Sequence, residues 1–564
     1  MEILLNKSGE KIIMLGNEAI VRGALESGVQ FVATYPGTPA SEIGNLFYQI
    51  QNSEFKIPSL YFEFSVNEKI AMEAGMGASY SGLKTMVVMK NFGLNVASDP
   101  LLPFMYTGTK GPTVIMVADD PSCHSSAQSE ENTRAFALLA HIPILEPSDA
   151  QECKDFIKLA FQVSEKYNLP VMVRTTTRVS HQKMPVKLGS LPVGKPAGAG
   201  NFVKDFNRFV TLPPRVLGMK KELLDKIAKI RTFTETSPVN QIIRGSDSNV
   251  GVITSGVAYL YVMEAMEKLS VSLPVLKIGS FYPLPEKKIQ AFLNPPTGRL
   301  KKVLVVEELD PYLEKEIKVL VQKNNCRVQV VGKELLPEIG ELKPEIVISA
   351  LAKFANKKYA APQFKEVPAP KRSPVLCPGC PYWLVISAVK KALQRGSGQA
   401  ISDVIFGGEI GCYMLFGNSL INLQDYLACM GSSVGIGHGI KKALQRGSGQ
   451  ASKQKLISFV GDSSFFHSGI PALINTVFNK SNPLVIILNN DTTGMTGHQP
   501  YPGDAGIKIE NIVQACGVKN LKVIDPANQV EFIQTIKEFV ESSEVSVIIA
   551  RRPCVFVSKK TKTV

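Results

Sequence analysis

The chain has no run of about 18 uncharged apolar residues, the length a membrane-spanning helix needs, so no span is expected. Its opening, Met-Glu-Ile-Leu-Leu-Asn-Lys, has no basic stretch followed by a long apolar one, which argues against a secretory leader. Zinc-finger spacing, an RNP-type aromatic motif and a basic arm are all missing, so nothing points to nucleic acid. Cysteine is sparse: nine in 564 residues do not make a disulfide scaffold. A reducing cytoplasm is the natural setting, and there a C-x-x-C pair reads as metal-binding or redox-active.

What is abundant is apolar residue, at 45% of the chain, enough for several buried cores. The net charge of +14, from 63 Lys+Arg against 49 Asp+Glu, favours anionic ligands and acidic partners over long range. The basic residues are dispersed, so a lysine-rich solvated surface accounts for most of this excess.

Short apolar runs alternate with helical periodicity through three blocks, the pattern of parallel, doubly wound α/β sheets. Residues 1–190 form the first block, with strands expected at Phe31–Tyr35, Thr85–Met89, Thr113–Val117 and Pro170–Arg174. A connector at 191–247 is expected to carry one helix near Met219–Ile230. The second block, 248–355, has strands expected at Val250–Thr254, Val275–Ile278, Lys302–Val306 and Arg327–Val331. A Lys- and Pro-rich linker, 356–375, leads to the third block, 376–564. The string K-K-A-L-Q-R-G-S-G-Q-A occurs at 390–400 and again at 441–451. Each copy suits a helix end, with cations in the last turn and glycine after it, and no chemistry is assigned to it.

In the third block, Lys455–Val460 reads as a strand followed by Gly461, Asp462 and Ser463, with a helix expected from near Ser468 and Pro471 in its first turn. A second strand, Leu484–Leu488, runs into N-N-D-T-T. Ligands of open α/β sheets sit beyond the carboxyl ends of strands, which would bring Asp462 and Asn490 together. Magnesium takes hard oxygen ligands, and Asp462, Asn490 and the Thr492 carbonyl could supply three, with diphosphate oxygens and water completing the shell. An ordinary strand–turn–helix is the alternative. Gly431 and Ser432, in M-G-S-S-V-G, open another helix whose backbone N–H groups could approach phosphate.

Four cysteines flank this anchor: Cys377 and Cys380 in C-P-G-C, Cys412 in G-E-I-G-C-Y and Cys554 in R-R-P-C-V. A zinc tetrathiolate or buried small hydrophobes are the readings to set against an iron–sulfur site. Cys123, Cys153, Cys326, Cys429 and Cys516 read as core or incidental thiols.

C-P-G-C-P, G-E-I-G-C-Y, F-V-G-D-S-S-F-F-H-S-G-I-P-A-L and L-N-N-D-T-T-G-M-T-G-H-Q-P resemble the alpha subunits of indolepyruvate:ferredoxin oxidoreductases. T-Y-P-G-T-P-A-S-E-I at 34–43, S-V-N-E-K-I-A-M-E at 65–73 and N-F-G-L-N-V-A-S-D-P at 91–100 extend the likeness over the whole chain. The resemblance implies a thiamin diphosphate-binding fold. The first block would be its pyrimidine module and the third its diphosphate and magnesium module, with a transketolase C-terminal-like domain between them. It implies oxidative decarboxylation of aryl 2-oxoacids such as indolepyruvate and phenylpyruvate to aryl-acetyl-CoA, with coenzyme A as co-substrate and electrons passing to ferredoxin. A smaller beta subunit, in a dimer of heterodimers, would complete the enzyme. A non-oxidative thiamine-dependent decarboxylase and a non-catalytic assembly subunit are the other readings.

Under the same resemblance Glu68 matches the glutamate at the pyrimidine ring nitrogen, where a carboxyl favours the imino tautomer that draws the proton from thiazolium C2. The residue by itself would pass for a solvated helix position. Thr38, after Gly37, matches a threonine near the substrate carboxylate. Asn91 and Asn95 would face that cleft, with His124 and His498 as its ionisable residues or as structural ones. Met495 and Thr496 complete the cofactor-binding set, and Phe92 and Phe466 are aryl-pocket or core positions. Cys377, Cys380, Cys412 and Cys554 match the pattern of a [4Fe–4S] cluster beside the cofactor. Ser463 stands where most thiamine enzymes have glycine. The family also usually continues into a ferredoxin-like module with two C-x-x-C-x-x-C-x-x-x-C-P runs, and these 564 residues contain neither. That leaves the module separate, removed or dispensed with.

Overall fold

The computed structural model of the chain describes residue 4 and residues 8–54, 57–192, 200–247, 249–294, 300–360, 374–393, 403–446 and 454–560. Much of the 356–375 linker and the far ends of both copies of the repeated string lie outside the described residues. The chain divides into two compact units, Met1–Lys365 and Glu366–Val564.

The first unit holds a seven-stranded sheet. Its order is Ser280–Tyr282, Ile144–Leu145, Val171–Thr176, Thr113–Asp119, Thr85–Lys90, Phe31–Thr34 and Tyr61–Phe64. All neighbours run parallel except the first pair, which is antiparallel. Thr113–Asp119 and Val171–Thr176 are buried along their full length, as expected where helices cover both faces of a parallel sheet. A five-stranded sheet follows in the order Gln329–Val331, Lys302–Val306, Val250–Ser255, Val275–Ile278 and Gln241–Ile243, parallel but for its last member.

The first two blocks of the sequence therefore share one unit, and the reason is local. Strand Ser280–Tyr282 leaves the second block to extend the first block's sheet at Ile144–Leu145, and the Asn240 side chain accepts from Gly279 N and Ser280 N, each at 3.0 Å. Buried Arg134 then crosses between the carboxyl ends of the two sheets. It donates to Glu146 at 2.7 Å through two nitrogens, to Glu307 at 2.9 Å and to the Ser255 hydroxyl at 2.8 Å.

The second unit is one six-stranded, wholly parallel sheet in the order Tyr426–Leu427, Val404–Gly408, Lys455–Gly461, Leu484–Asn489, Ser546–Arg551 and Asn520–Ile524. Period-two alternation splits its core into two faces. Ile486 and Leu488 pack with Ile548 and Ala550 on one, Val485 and Ile487 with Val547 and Ile549 on the other. The helix after Lys455–Gly461 starts at Asp462, six residues ahead of the expected position. A π-helical turn at Phe465–Gly469 joins its first residues to the helix Ile470–Phe478. Pro471 marks the end of that wide turn, because it has no N–H for the carbonyl four residues back. No described helix is long and apolar enough to cross a membrane.

Burial pushes Glu308 up to about 7, against the donated Leu342 N–H and the guanidinium groups of Arg174 and Arg134. A carboxyl raised in the fold contributes stability below its unfolded value, and that contribution disappears as pH climbs through about 7. The stability of the wild type relative to Glu308→Gln should therefore fall by about 3 kcal/mol between pH 4.5 and 8. Chemical denaturation of both proteins across that range checks this, and a pH-independent difference would contradict it.

Candidate active site

In the first unit, three neighbouring parallel strands end together and supply one set of candidates. Gly37 and Thr38 follow Phe31–Thr34, Glu68 follows Tyr61–Phe64, and Lys90 and Asn91 close Thr85–Lys90. Glu68 opens the helix Glu68–Tyr80, whose N-cap Asn67 accepts from Ile70 N at 2.9 Å. It is only 5% exposed, so it is no solvated helix position. Gly93 must be small: a Cβ there would stand 2.7 Å from Glu68 Cγ and 2.8 Å from Oε1.

Lys90, absent from the expected set, ties these pieces together. Its stem fills the space a Gly37 Cβ would need, 2.8 Å from Lys90 Cγ, and its ammonium lies 4.5 Å from the Phe92 ring centre. Burial holds its pKa below the usual lysine value, opposed by Glu68, Asp120, Glu131 and Cys123. The sequence signal was a charge closing a buried apolar strand, T-M-V-V-M-K.

Asn91 is fully buried, and among the described residues nothing hydrogen-bonds its side-chain nitrogen or oxygen. A buried amide left so costs about 1–3 kcal/mol, which a ligand's polar edge would recover. The other candidates are placed differently. Asn95 donates to both oxygens of Glu131, at 2.8 and 3.0 Å, on the exposed side of its helix. Thr38 Oγ1 lies 3.4 Å from Ser41 Oγ. The His124 side chain is 56% exposed and sits 3.6 Å from Glu341, so what it meets is the loop at 340–341. Phe92 is buried beneath Lys90.

In the second unit, Asp462 and Asn490 meet at the tips of two adjacent parallel strands. The Asp462 carboxylate accepts from Ser463 N at 2.7 Å, from Asn489 Nδ2 at 3.2 Å, and from Asn490 N and Asp491 N, each at 3.0 Å. Burial pushes it up to about 6 despite these donors.

The Asn490 side-chain nitrogen donates to the Thr492 carbonyl at 2.9 Å and to Asp462 Oδ2 at 3.3 Å, and its oxygen accepts from the Tyr382 hydroxyl at 3.0 Å. Adjacent ligands of an octahedral ion with bonds of about 2.1 Å stand about 3.0 Å apart, so an Asn490 amide turned over would bring its oxygen within the spacing a magnesium site needs.

The phosphate candidates lie at the start of the helix Ser432–Arg446. Gly431 has φ +74°, and a Cβ there would stand 2.8 Å from Gly469 N and from the Ser468 carbonyl carbon, so no larger residue fits. The hydroxyls of Ser432 and Ser433 are buried, with no hydrogen-bond partner among the described residues. Orphaned hydroxyls at a helix N-terminus suit an anion. Ser463 Oγ is 2.9 Å from Thr493 Oγ1, and Thr496 Oγ1 donates to Gln499 at 2.7 Å. Met495 is 46% exposed. His498 packs its ring on Phe556, centres 5.6 Å apart, and Phe466 packs on Phe465 and Tyr501.

The four cysteines gather near Asn490 and Gly494. Cys554 N donates to Asn490 O at 2.9 Å, Cys380 N donates to Cys377 O at 3.1 Å, and a Cβ on Gly494 would stand 3.7 Å from Cys412 Sγ and 3.6 Å from Asn490 Nδ2. Burial pushes the Cys380 thiol up to about 11 and the Cys412 thiol to about 12, and the neighbouring thiols push the same way. Among the described residues, no three His, Cys, Asp or Glu side chains are arranged as a metal site. Four thiols are the donor set that a cluster would take, displacing their protons as it binds.

Glu409 and Tyr413 also escaped the sequence reading. The Glu409 carboxyl accepts from Gly431 N, Gly461 N and the Tyr413 hydroxyl. Its sequence signal, an acid between two short glycine turns in G-E-I-G-C-Y, was overshadowed by Cys412.

Comparison with known proteins adds independent findings. Residues 22–212 match the family described as pyruvate flavodoxin/ferredoxin oxidoreductase, thiamine diphosphate-binding, and residues 409–550 match the C-terminal TPP-binding domain of thiamine pyrophosphate enzymes. The chain is 42% identical to the indolepyruvate oxidoreductase subunit IorA of Methanothermobacter thermautotrophicus, over 99% of this chain and 89% of that protein. It is 40% identical to the IorA of Pyrococcus horikoshii, over 98% of this chain and 87% of that one. Among solved structures, a 2-oxoglutarate:ferredoxin oxidoreductase from Magnetococcus marinus aligns over 61% of this chain and 65% of its own, at 18% identity and a TM-score of 0.48.

Replacing Asp462 by Asn should weaken Mg2+-dependent binding of thiamine diphosphate at least tenfold, because one charged ligand oxygen is lost. Calorimetric titration with and without Mg2+ checks this, and an unchanged affinity would remove Asp462 from the anchor.

Proposed function

The chain belongs to the IorA family of indolepyruvate oxidoreductase subunits, and from that premise we propose that it oxidises aryl 2-oxoacids, indolepyruvate and phenylpyruvate among them, to aryl-acetyl-CoA thioesters and delivers the electrons to ferredoxin. It is a subunit of a thiamine diphosphate-binding 2-oxoacid oxidoreductase. For each 2-oxoacid anion and coenzyme A consumed, the balanced products are one thioester, one CO2, one proton and two electrons. A smaller beta subunit and ferredoxin are the partners this reading requires.

The observation that carries it is the meeting of Asp462, Asn490 and Thr492 at the tips of two adjacent parallel strands, a set of hard oxygen donors that suits the magnesium ion of a diphosphate. Ser432, Ser433 and Ser463 would receive the phosphate oxygens, with Gly431, Gly461, Met495 and Thr496 alongside. In the first unit, Glu68 would hold a proton at the pyrimidine nitrogen, kept from water by burial and kept close to Lys90. Asn91 would meet a polar edge of the ring, and Gly37 leaves room for the Lys90 stem beside it. Thr38 would meet the substrate carboxylate, Asn95 would act through Glu131, and His498 would sit at the cofactor end of the cysteine loops.

Thiamine diphosphate, when bound, supplies a nucleophilic carbon and an electron sink for the decarboxylation. Cys377, Cys380, Cys412 and Cys554 would hold a [4Fe–4S] cluster, which transfers electrons one at a time. His124, exposed beside Glu341, has the least support of the proposed catalytic residues.

The test is an anaerobic assay of this chain with its small partner, an aryl 2-oxoacid, coenzyme A and a viologen dye. Dye reduction that depends on coenzyme A is expected. Aldehyde release without dye reduction would favour a simple decarboxylase, and assembly without thiamine binding would favour a non-catalytic subunit. Glu68→Gln should keep the cofactor bound yet lower turnover at least a hundredfold, the usual scale for losing an acid–base group, and near-normal turnover would take Glu68 out of the mechanism.

A further inference from the structure

Glu409 has 0% exposure, and burial pushes its carboxyl up to about 8. A carboxyl so deeply buried is held by its partners, and these come from three separate segments. Oε2 accepts from Gly431 N, in the turn that opens the helix Ser432–Arg446. Oε1 accepts from Gly461 N at 3.3 Å, in the turn that delivers Asp462, and from the Tyr413 hydroxyl. Tyr413 follows Cys412 directly and lies against Gly461, where a Cβ would stand 2.8 Å from the ring.

One side chain thus sits behind both the phosphate-facing turn and the cation-facing turn. Each amide it fixes belongs to the residue before a ligand candidate: Gly431 before Ser432, Gly461 before Asp462. A turn whose amide is pinned by a buried acceptor presents its next residue in a fixed direction, and freeing either amide would leave a buried donor unsatisfied.

We propose that Glu409 is a positioning residue that sets the separation between the diphosphate turn at Gly431 and the cation turn at Gly461, so that the site accepts a diphosphate rather than a monophosphate; this rests on the thiamine diphosphate reading above. Tyr413 seats the carboxyl and does not itself set that separation.

The test compares Mg2+-dependent affinities for thiamine diphosphate and thiamine monophosphate in the wild type, Glu409→Gln and Tyr413→Phe. Glutamine keeps the volume but turns a donor toward one of the two amides. In Glu409→Gln the diphosphate affinity should fall at least tenfold while the monophosphate affinity stays within about threefold of the wild type, and Tyr413→Phe should keep both within threefold. Equal losses for the two esters in Glu409→Gln would mean that the carboxyl only supports the fold, and would overturn the proposal. So would wild-type affinity in Glu409→Gln, or a diphosphate loss in Tyr413→Phe as large as in Glu409→Gln. If Glu409→Gln does not fold, Glu409→Asp, too short to reach both turns, carries the same expectation and the same refutations. A wild type that binds neither ester would instead sink the thiamine reading itself.

Discussion

The meeting of Asp462, Asn490 and Thr492 at the tips of two adjacent strands is the constraint on which the second unit depends. The Asn490 amide donates to the Thr492 carbonyl and to Asp462, and a cation bound there would call for that amide to turn over and present its oxygen. The parallel pairing of Lys455–Gly461 with Leu484–Asn489 fixes the separation, because both turns leave the same edge of the sheet.

The cost of gathering such groups explains their surroundings. Asp462 is buried and raised towards neutrality, and four N–H donors hold it. Two of the three cysteine segments are followed by a buried tyrosine that reaches the cofactor end: Tyr382 towards Asn490, Tyr413 towards Glu409. The thiol loops and the cation turns are thereby one packed assembly, and a change in either is felt by the other. The first unit uses the same economy, with Lys90 lying over Gly37 and within electrostatic reach of Glu68.

What the sequence made legible follows from periodicity and from strand ends. Fully buried parallel strands read as continuous apolar runs, so the strands near Thr85, Lys455 and Leu484 stood out, and with them the turns that carry Asn91, Asp462 and Asn490. Pro471 does lie in the first turn of Ile470–Phe478, but it gave no sign of the helical turns that precede it from Asp462. Strand Ser280–Tyr282 could not be foreseen as part of the first block's sheet, since its partner lies far back in the chain at Ile144–Leu145. Glu409 was hidden for a similar reason: its partners at Gly431 and Gly461 lie 22 and 52 positions away, and hydrogen bonds over such separations leave no periodic trace.

Mn2+ diffused with thiamine diphosphate into crystals of this protein, and located by its anomalous scattering, tests the central claim most directly. A single peak is expected at bonding distance, about 2.1 Å, from an Asp462 carboxylate oxygen, the Asn490 side-chain oxygen and the Thr492 carbonyl. A peak elsewhere, or an occupied site with the Asn490 nitrogen still directed at Thr492, would contradict the account.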